Sequence, residues 1–243
     1  MVVDRARGAG AFLLIGDHAG RSIPRRLGNL GISRADLDRH IAWDIGVEAM
    51  GLCLSAELGA CFIRQAYSRL VIDCNRAPRS GASIPQVSDG TPISGNAGLS
   101  MADIADRVGT IYQPYQARIS QELDERRLRS LPTILVALHS FTPRLDGFDR
   151  PWRYGVLHRD DSPFSASVLR VMSAALGPEA GDNQPYAMDE TDNTVPLHRA
   201  GRDIDYLELE VRQDLIADAA GQATIAREIG HFLVKARNDM VGS

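Results

Sequence analysis

Six short apolar segments, each bounded by turn-forming residues, alternate along the chain with longer segments of helical periodicity. A continuous apolar run of this length is typical of a strand that is buried on both faces of a sheet. The last of the six differs, because apolar and charged residues alternate along it. The predicted strands are residues 11–15, 60–64, 70–73, 133–138, 154–157 and 206–212.

Four segments between these strands repeat their apolar residues at helical spacing. Ser33 is a good N-cap for the first of them. Pro114 predicts a break or kink within the second, because proline removes a backbone donor and clashes with the preceding turn. The predicted helices are residues 34–58, 101–128, 164–176 and 223–236.

The alternation of strands and helices predicts an α/β fold, with a mixed, mostly parallel sheet flanked by helices. No internal repeat or low-complexity linker divides the chain, so we expect a single domain over residues 1–243. No GxGxxG segment follows a strand and no GxxxxGK[ST] segment is present. The sequence therefore gives no support for a dinucleotide site or a P-loop.

Composition excludes several classes of partner. The chain is 44% hydrophobic and 24% charged, as is usual for a globular protein with a core, and its formal net charge of −4 predicts no nucleic-acid partner. Three cysteines without CxxC spacing indicate free thiols in a reducing compartment. The apolar run at 11–15 is too short for a signal peptide or a membrane span, so we expect a cytoplasmic protein without a membrane partner. The oligomeric state is left open.

Two histidines lie at the ends of predicted strands, where open α/β sheets place their ligands. His18 follows the strand at 11–15, and His139 comes directly after the strand at 133–138. Imidazole is the commonest zinc ligand, and a catalytic zinc needs three protein ligands. No HExxH pattern supplies the third, so we assign it to Asp44, a carboxylate among apolar residues of the first predicted helix. Each residue taken singly is also compatible with a structural role.

The segment Asp-Cys-Asn-Arg at 73–76 follows the third predicted strand. Its amide and guanidinium groups can grip a carboxylate at two places, which makes Asn75 and Arg76 candidates for substrate binding. Arg69, just before that strand, could stabilise a developing oxyanion. His198, in a predicted loop before the last strand, could also contact the substrate.

The last predicted strand places three charged residues on one face. A solvent-exposed edge strand would explain this pattern without any function. A cleft would explain it too, with Glu210 or Glu208 as a general base and Arg212 or Asp214 holding it in place. The apolar face of the same strand carries Leu207, Leu209 and Val211.

Five motifs, in this order, resemble the N-formylglutamate amidohydrolase (N-formylglutamate deformylase) family. They are DHAGRSIP at 17–24, SRLVIDCNR at 68–76, HSFTP at 139–143 with RPW at 150–152, NQPY at 183–186 and EVRQDL at 210–215. Each motif is weak alone, but five in order over most of the chain are fairly specific.

The resemblance implies a zinc-dependent hydrolase, since that family is similar in fold to the zinc carboxypeptidases and aminoacylases. The implied substrate is a small N-acyl acidic amino acid such as N-formylglutamate. Glu210 is the implied general base, and Asn75 and Arg76 would hold the α-carboxylate. Arg69 would face the oxyanion or a second carboxylate, and Arg150, in the RPW motif, is a further candidate for substrate binding.

The resemblance also implies that His18 and His139 bind the zinc. Arg21 stands where a ligand glutamate would be expected, so Asp44 remains our own assignment. Manganese or iron could occupy the same ligands. Three alternatives remain at this stage: a zinc peptidase, a catalytically silent family member that binds an acidic metabolite, and a stable α/β domain whose charged strand faces solvent.

Overall fold

One seven-stranded sheet runs through the computed structural model, which describes residues 1–5, 8–78, 80–159 and 162–242. In chain order the described strands are β1 (Val2–Asp4), β2 (Phe12–Gly16), β3 (Cys61–Arg64), β4 (Val87–Ser88), β5 (Thr91–Pro92), β6 (Ile134–Phe141), β7 (Arg144–Leu145), β8 (Phe148–Asp149), β9 (Tyr154–Leu157), β10 (Ala180–Asp182) and β11 (Asp205–Arg212). The order across the main sheet is β1-β3-β2-β6-β11-β9-β10. β4 pairs with β5, and β7 with β8, in two small hairpins.

The four central strands, β3, β2, β6 and β11, are parallel to one another. β1 is antiparallel to β3, and β9 is antiparallel to β11, with β10 parallel to β9 at the far edge. The sheet is therefore mixed and mostly parallel, which confirms the predicted fold class.

Helices cover both faces of this sheet. They are α1 (Arg34–Leu37), α2 (Val47–Leu58), α3 (Met101–Arg107), α4 (Gln113–Leu128), α5 (Pro163–Leu176), α6 (Thr194–Arg199) and α7 (Ala219–Val241). α2, α5 and α7 share one core cluster with one face of the sheet, and α4 and α6 share the other cluster with the opposite face. In the described part of the chain, no helix combines the length and apolarity needed to cross a membrane.

Alternation along β6 decides which residues reach the functional face. Val136 and Leu138 join the core on the side of α2, α5 and α7. Leu135 and Ala137 join the core on the side of α4. Because side chains alternate along a strand, His139 lies on the α4 side as well. Side chains alternate along β11 in the same way, so Glu208 and Glu210 also lie on the α4 side of the sheet.

Most of the predicted elements are confirmed. Five of the six predicted strands are present, and so are the helices predicted at 164–176 and 223–236, the latter extended at both ends. The irregularity predicted near Pro114 is a π-helical turn, Val108–Tyr112, between α3 and α4. β1, β10 and α6 were not predicted, because elements this short carry too few residues for a periodic pattern.

The strand predicted at 70–73 is wrong, although its apolar side chains are buried. Side chains, and not a neighbouring strand, donate hydrogen bonds to two of its backbone carbonyls. Asn96 Nδ2 donates to the Leu70 carbonyl at 2.8 Å, and Arg107 Nη1 donates to the Val71 carbonyl at 2.9 Å. A short apolar run predicts that a segment is buried, but it does not predict which groups will form hydrogen bonds with the backbone of that segment.

The single helix predicted at 34–58 is also wrong, because α1 and α2 are separated by a non-helical segment. Ser33 does cap α1, as predicted. In the segment between the helices, the backbone N–H of Asp44 donates to the His18 carbonyl at 2.9 Å. Gly46 then starts α2 with a φ of 85°, in the left-handed region that favours glycine. Tertiary hydrogen bonds thus replace helical ones beside Asp44.

We expect Gly46→Ala to lower the free energy of unfolding by about 2–4 kcal/mol. An added Cβ would lie 2.4 Å from the Ile216 carbonyl oxygen, in addition to the strain at positive φ. Gly59→Ala is the matched control, since Gly59 has a φ of 59° but nothing within 4 Å of the added Cβ, and it should cost about 1 kcal/mol. Urea unfolding of both variants measures the difference, and equal costs would contradict the clash at Gly46.

Candidate active site

A cavity of about 400 Å³ opens at the carboxyl ends of β2, β6 and β11. This is the place where open α/β sheets bind their ligands. Nine residues are assigned above to the metal, the substrate, the oxyanion or the implied general base. Seven of the nine line the cavity: His18, Asp44, Arg69, Asn75, Arg76, His139 and Glu210. The remaining two, Arg150 and His198, do not.

His18, Asp44 and His139 form a compact buried group on the cavity wall. His18 Nδ1 lies 3.4 Å from Asp44 Oδ2, and His139 Nδ1 lies 3.0 Å from the same oxygen. One ligand atom from each residue lies within 4.8 Å of the others. Two imidazoles and a carboxylate at this spacing could hold a metal ion.

Carboxylates also lie behind both imidazoles. His18 Nε2 is 2.7 Å from Asp73 Oδ1, and His139 Nε2 is 3.7 Å from Asp17 Oδ2. The contact of Asp73 is a hydrogen bond, which fixes the orientation and tautomer of a ligand histidine, whereas Asp17 lies at ion-pair distance. Asp73 therefore contacts a candidate metal ligand directly.

Arg69 bridges two of these carboxylates. Its Nε and Nη2 donate to Asp73 Oδ2 at 3.1 and 2.8 Å, and its Nη1 lies 3.4 Å from Asp44 Oδ1. Burial lowers the pKa of Arg69, but Asp73 and Asp44 outweigh burial, so its pKa is raised overall. Arg69 is therefore a permanent positive charge, about a quarter exposed at the cavity.

Of the two explanations for the charged face of the last strand, the structure excludes the solvent-exposed edge strand. β11 lies inside the sheet between β6 and β9, and Glu208 and Glu210 are only 3% and 7% exposed. Burial raises the pKa of Glu208 to about 8 and that of Glu210 to about 7, although His139 opposes both shifts. A carboxyl group that titrates near neutral pH can both accept and return a proton.

Several buried polar atoms of the cluster have no hydrogen-bond partner among the described residues. They are Asp17 Oδ2, His18 Nδ1, His139 Nε2, Glu208 Oε2 and Glu210 Oε2. Buried polar atoms are normally paired, so each of these needs an explanation such as a bound ion or water. Since all five are carboxylate oxygens or imidazole nitrogens, the cluster fits a divalent cation.

Asn75 and Arg76 face the cavity and also hold one of its walls. Asn75 Oδ1 accepts hydrogen bonds from the backbone N–H groups of Asn193 and Thr194, at 3.0 and 2.9 Å. Arg76 Nη1 donates to the Thr191 carbonyl at 3.3 Å. The side-chain oxygen of Asn75 is thus occupied by the segment that leads into α6.

His198 lies in α6, and not in the predicted loop, with Nε2 2.7 Å from Gln116 Oε1 and Nδ1 3.3 Å from Ser120 Oγ. Burial, aided by the charge of Arg202, lowers its pKa to about 4. The structure therefore places His198 within the packing of α6 against α4, away from the cavity lining.

Arg150 lies behind the cavity wall. Its Nη1 donates to the Tyr186 hydroxyl at 3.0 Å, and its guanidinium lies 4.9 Å from the centre of the Tyr186 ring. Tyr186 itself lines the cavity. Arg150 thus contacts a lining residue without lining the cavity.

Four other residues belong to the site but had no assigned role. Asp17 supports His139, and its position next to His18 was the available signal. Tyr186 lies in the NQPY motif. His40 lines the cavity from the segment between α1 and α2, although the sequence placed it on a helix. Asp192 gave no signal, because it lies in an irregular segment far along the chain from Asn75.

The arrangement defines an α/β protein with an enzyme-like site, in which imidazoles, carboxylates and arginines converge at the carboxyl end of an open sheet. The sequence profile of the N-formylglutamate amidohydrolase family matches residues 10–217. The chain therefore belongs to this amidohydrolase family, as its motifs suggested.

Two solved structures resemble the chain over nearly its whole length. A gene product from Agrobacterium tumefaciens is 33% identical, with a TM-score of 0.95 and coverage of 98% of this chain and 95% of that one. The N-formylglutamate amidohydrolase from Ralstonia eutropha is 19% identical, with a TM-score of 0.67 and coverage of 100% and 98%. At that identity the second shows a shared fold alone. No curated protein matches the chain.

We expect the metal-free protein to lose stability as the pH rises from about 5 to about 8. In this range the folded state binds more protons than the unfolded state, because the pKa values of Glu208 and Glu210 are raised above the ordinary 4.5. The raised pKa values of His18 and His139, where nearby carboxylates outweigh burial, act in the same direction.

Thermal unfolding of chelator-treated protein across this pH range measures the effect. Glu210→Gln should flatten the dependence and raise the free energy of unfolding near pH 8 by about 1–3 kcal/mol. A melting temperature that rises steadily between pH 5 and 8 would contradict the burial of these carboxylates.

Proposed function

We propose that the chain is a metal-dependent hydrolase that cleaves the amide bond of a small N-acyl amino acid, such as an N-formyl amino acid. The observation that carries the proposal is the buried group of His18, Asp44 and His139 beside Glu210, in one cavity of about 400 Å³. That volume suits a ligand of amino-acid size. Membership of the amidohydrolase family supports the same reaction.

His18, Asp44 and His139 would hold the metal ion. Three protein ligands with imidazole and carboxylate donors are typical of a catalytic zinc, and zinc is therefore the metal we propose. When bound, such an ion supplies a Lewis acid that polarises the acyl oxygen and lowers the pKa of water. Asp73 and Asp17, behind the two imidazoles, would keep the rings in position.

Glu210 would act as the general base. It lies opposite His139 in the register of β11 and β6, so its carboxylate is fixed by the sheet beside the candidate metal ligands. It would accept a proton from the attacking water and then transfer that proton to the leaving amine nitrogen. Its buried position, with a pKa of about 7 before metal binding, suits a group that must do both.

The two arginines on the cavity wall would act on the substrate. Arg69 is held by Asp73 and Asp44, so its guanidinium is preorganised to stabilise negative charge on the acyl oxygen. Arg76 hydrogen bonds through Nη1 alone within the described residues, and its remaining nitrogens would hold the carboxylate of the amino acid.

Metal content and formate release test the proposal together. We expect near-stoichiometric zinc in the purified protein and hydrolysis of N-formyl amino acids that stops on chelation. His139→Ala should lose both the zinc and the activity. His158→Ala is the matched control, because His158 lies outside the cavity lining and should keep both.

Other outcomes would identify a different function. Binding of N-formyl amino acids without metal or turnover would indicate a binding protein. Cleavage of peptides in preference to N-formyl amino acids would indicate a peptidase. Either result would displace the proposed reaction.

Replacing the general base should affect turnover far more than metal binding. We expect Glu210→Gln to lower kcat by about 100- to 10,000-fold with zinc content retained, since proton transfer would lose its acceptor. Glu208→Gln, two residues away on the same face of β11, should lower kcat less than about tenfold. Steady-state kinetics with matched metal analysis distinguishes the two, and the reverse order would assign the proton transfer to Glu208.

A further inference from the structure

A carboxylate of the protein already occupies the expected carboxylate-binding pair. Asp192 Oδ1 accepts from Asn75 Nδ2 and from Arg76 Nη1, each at 3.3 Å. Asp192 lines the cavity beside both residues. The amide and one edge of the guanidinium therefore face an internal negative charge, and not open space.

Asp192 is held firmly in this place. Its Oδ2 accepts the backbone N–H of Asp189 at 2.9 Å, which closes a turn in the segment before α6. The two residues that follow it, Asn193 and Thr194, donate their backbone N–H groups to Asn75 Oδ1. A substrate carboxylate would have to break this set of hydrogen bonds to displace Asp192, so Asp192 stays beside the bound substrate.

The other charges of the cavity do not provide a second anion site. The described lining contains two arginines and five carboxylates: Arg69, Arg76, Asp44, Asp189, Asp192, Glu208 and Glu210. With a divalent cation bound, the lining would carry four positive charges, against five negative charges when all five carboxylates are ionised. Arg69 is paired with Asp73 and Asp44. This leaves the outer edge of Arg76 to bind one substrate carboxylate.

We propose that Asp192 is a specificity-determining residue that restricts the substrate to N-acyl amino acids with a single carboxylate, whose side chain is neutral. The proposal rests on the proposed function of the same site and narrows its substrate class. A second carboxylate near Arg76 would meet Asp192 and Asp189 without a cation of its own, which disfavours it. A neutral amide side chain could instead donate hydrogen bonds to these carboxylates.

N-formylglutamine and N-formylglutamate test this, because they differ only in an amide against a carboxylate. For the zinc-loaded wild type we expect kcat/KM and affinity at least about tenfold higher for N-formylglutamine, equivalent to about 1.4 kcal/mol. Asp192→Asn should shift that ratio at least about tenfold towards N-formylglutamate. Glu190→Gln is the matched control, since Glu190 is exposed on the same segment, outside the lining, and should leave the ratio unchanged.

A wild type that prefers N-formylglutamate would overturn the proposal, whether or not the variant folds. The same ratio of kcat/KM values for the two compounds in wild type and in folded Asp192→Asn would also overturn the proposal. In that case, hydrolysis by both proteins would still support the proposed function. If neither compound is hydrolysed, the ratio of their dissociation constants, measured by calorimetry, replaces the kinetic ratio. Absence of binding by both compounds would overturn the proposal together with the proposed function.

Discussion

The buried carboxylate of Asp73 accepts hydrogen bonds from several parts of the site. It lies 2.7 Å from His18 Nε2, and it accepts from the guanidinium of Arg69 and from the backbone N–H of Asn75. Burial raises the pKa of a carboxyl group, but in Asp73 the charges of Arg69 and His18 lower it below its ordinary value. Because Asp73 stays ionised, one residue fixes a candidate metal ligand, the cavity arginine and the start of the candidate substrate-binding pair.

The same constraint explains why the site is suited to a cation. A buried carboxylate is tolerated only when a positive charge or several donors compensate its lost hydration. Arg69 does this for Asp73 and Asp44, but Glu208 and Glu210 each keep an oxygen with no partner in the described part of the chain. Their raised pKa values are the measure of that missing compensation, and a metal ion beside His139 would provide it.

The proposed specificity follows from how the fold closes the cavity. The segment before α6 is held against Asn75 by backbone hydrogen bonds, and this brings Asp192 to the edge of Arg76. A motif that reads as a carboxylate-binding pair in the sequence is therefore part of a more acidic surface in the folded protein. Members of one family that share the pair can differ in substrate charge through a single residue of such a segment.

The sequence by itself determined the α/β fold, the alternation of β11 and the positions of His18 and His139 near the carboxyl ends of β2 and β6, because local hydrophobic periodicity carries this information. It also carried the family motifs. It did not determine that β6 continues through His139 to Phe141. Only the tertiary structure decided that the apolar segment at 70–73 is irregular and that Asp44 lies between two helices. In both cases hydrogen bonds with distant residues replace the local backbone pairing that a sequence pattern assumes. Asn96 and Arg107 donate to the segment at 70–73, and the backbone N–H of Asp44 donates to the His18 carbonyl.

The same limit applies to the site. The sequence grouped seven residues that line one cavity, yet it could not place His198 within the packing of α6 or Arg150 behind Tyr186. Nor could the sequence predict that Asp192 contacts Asn75, because more than a hundred residues separate the two along the chain. Residue type and spacing predict which groups can do chemistry. Which of them meet is decided by contacts between distant segments, because those contacts depend on how the helices and strands pack.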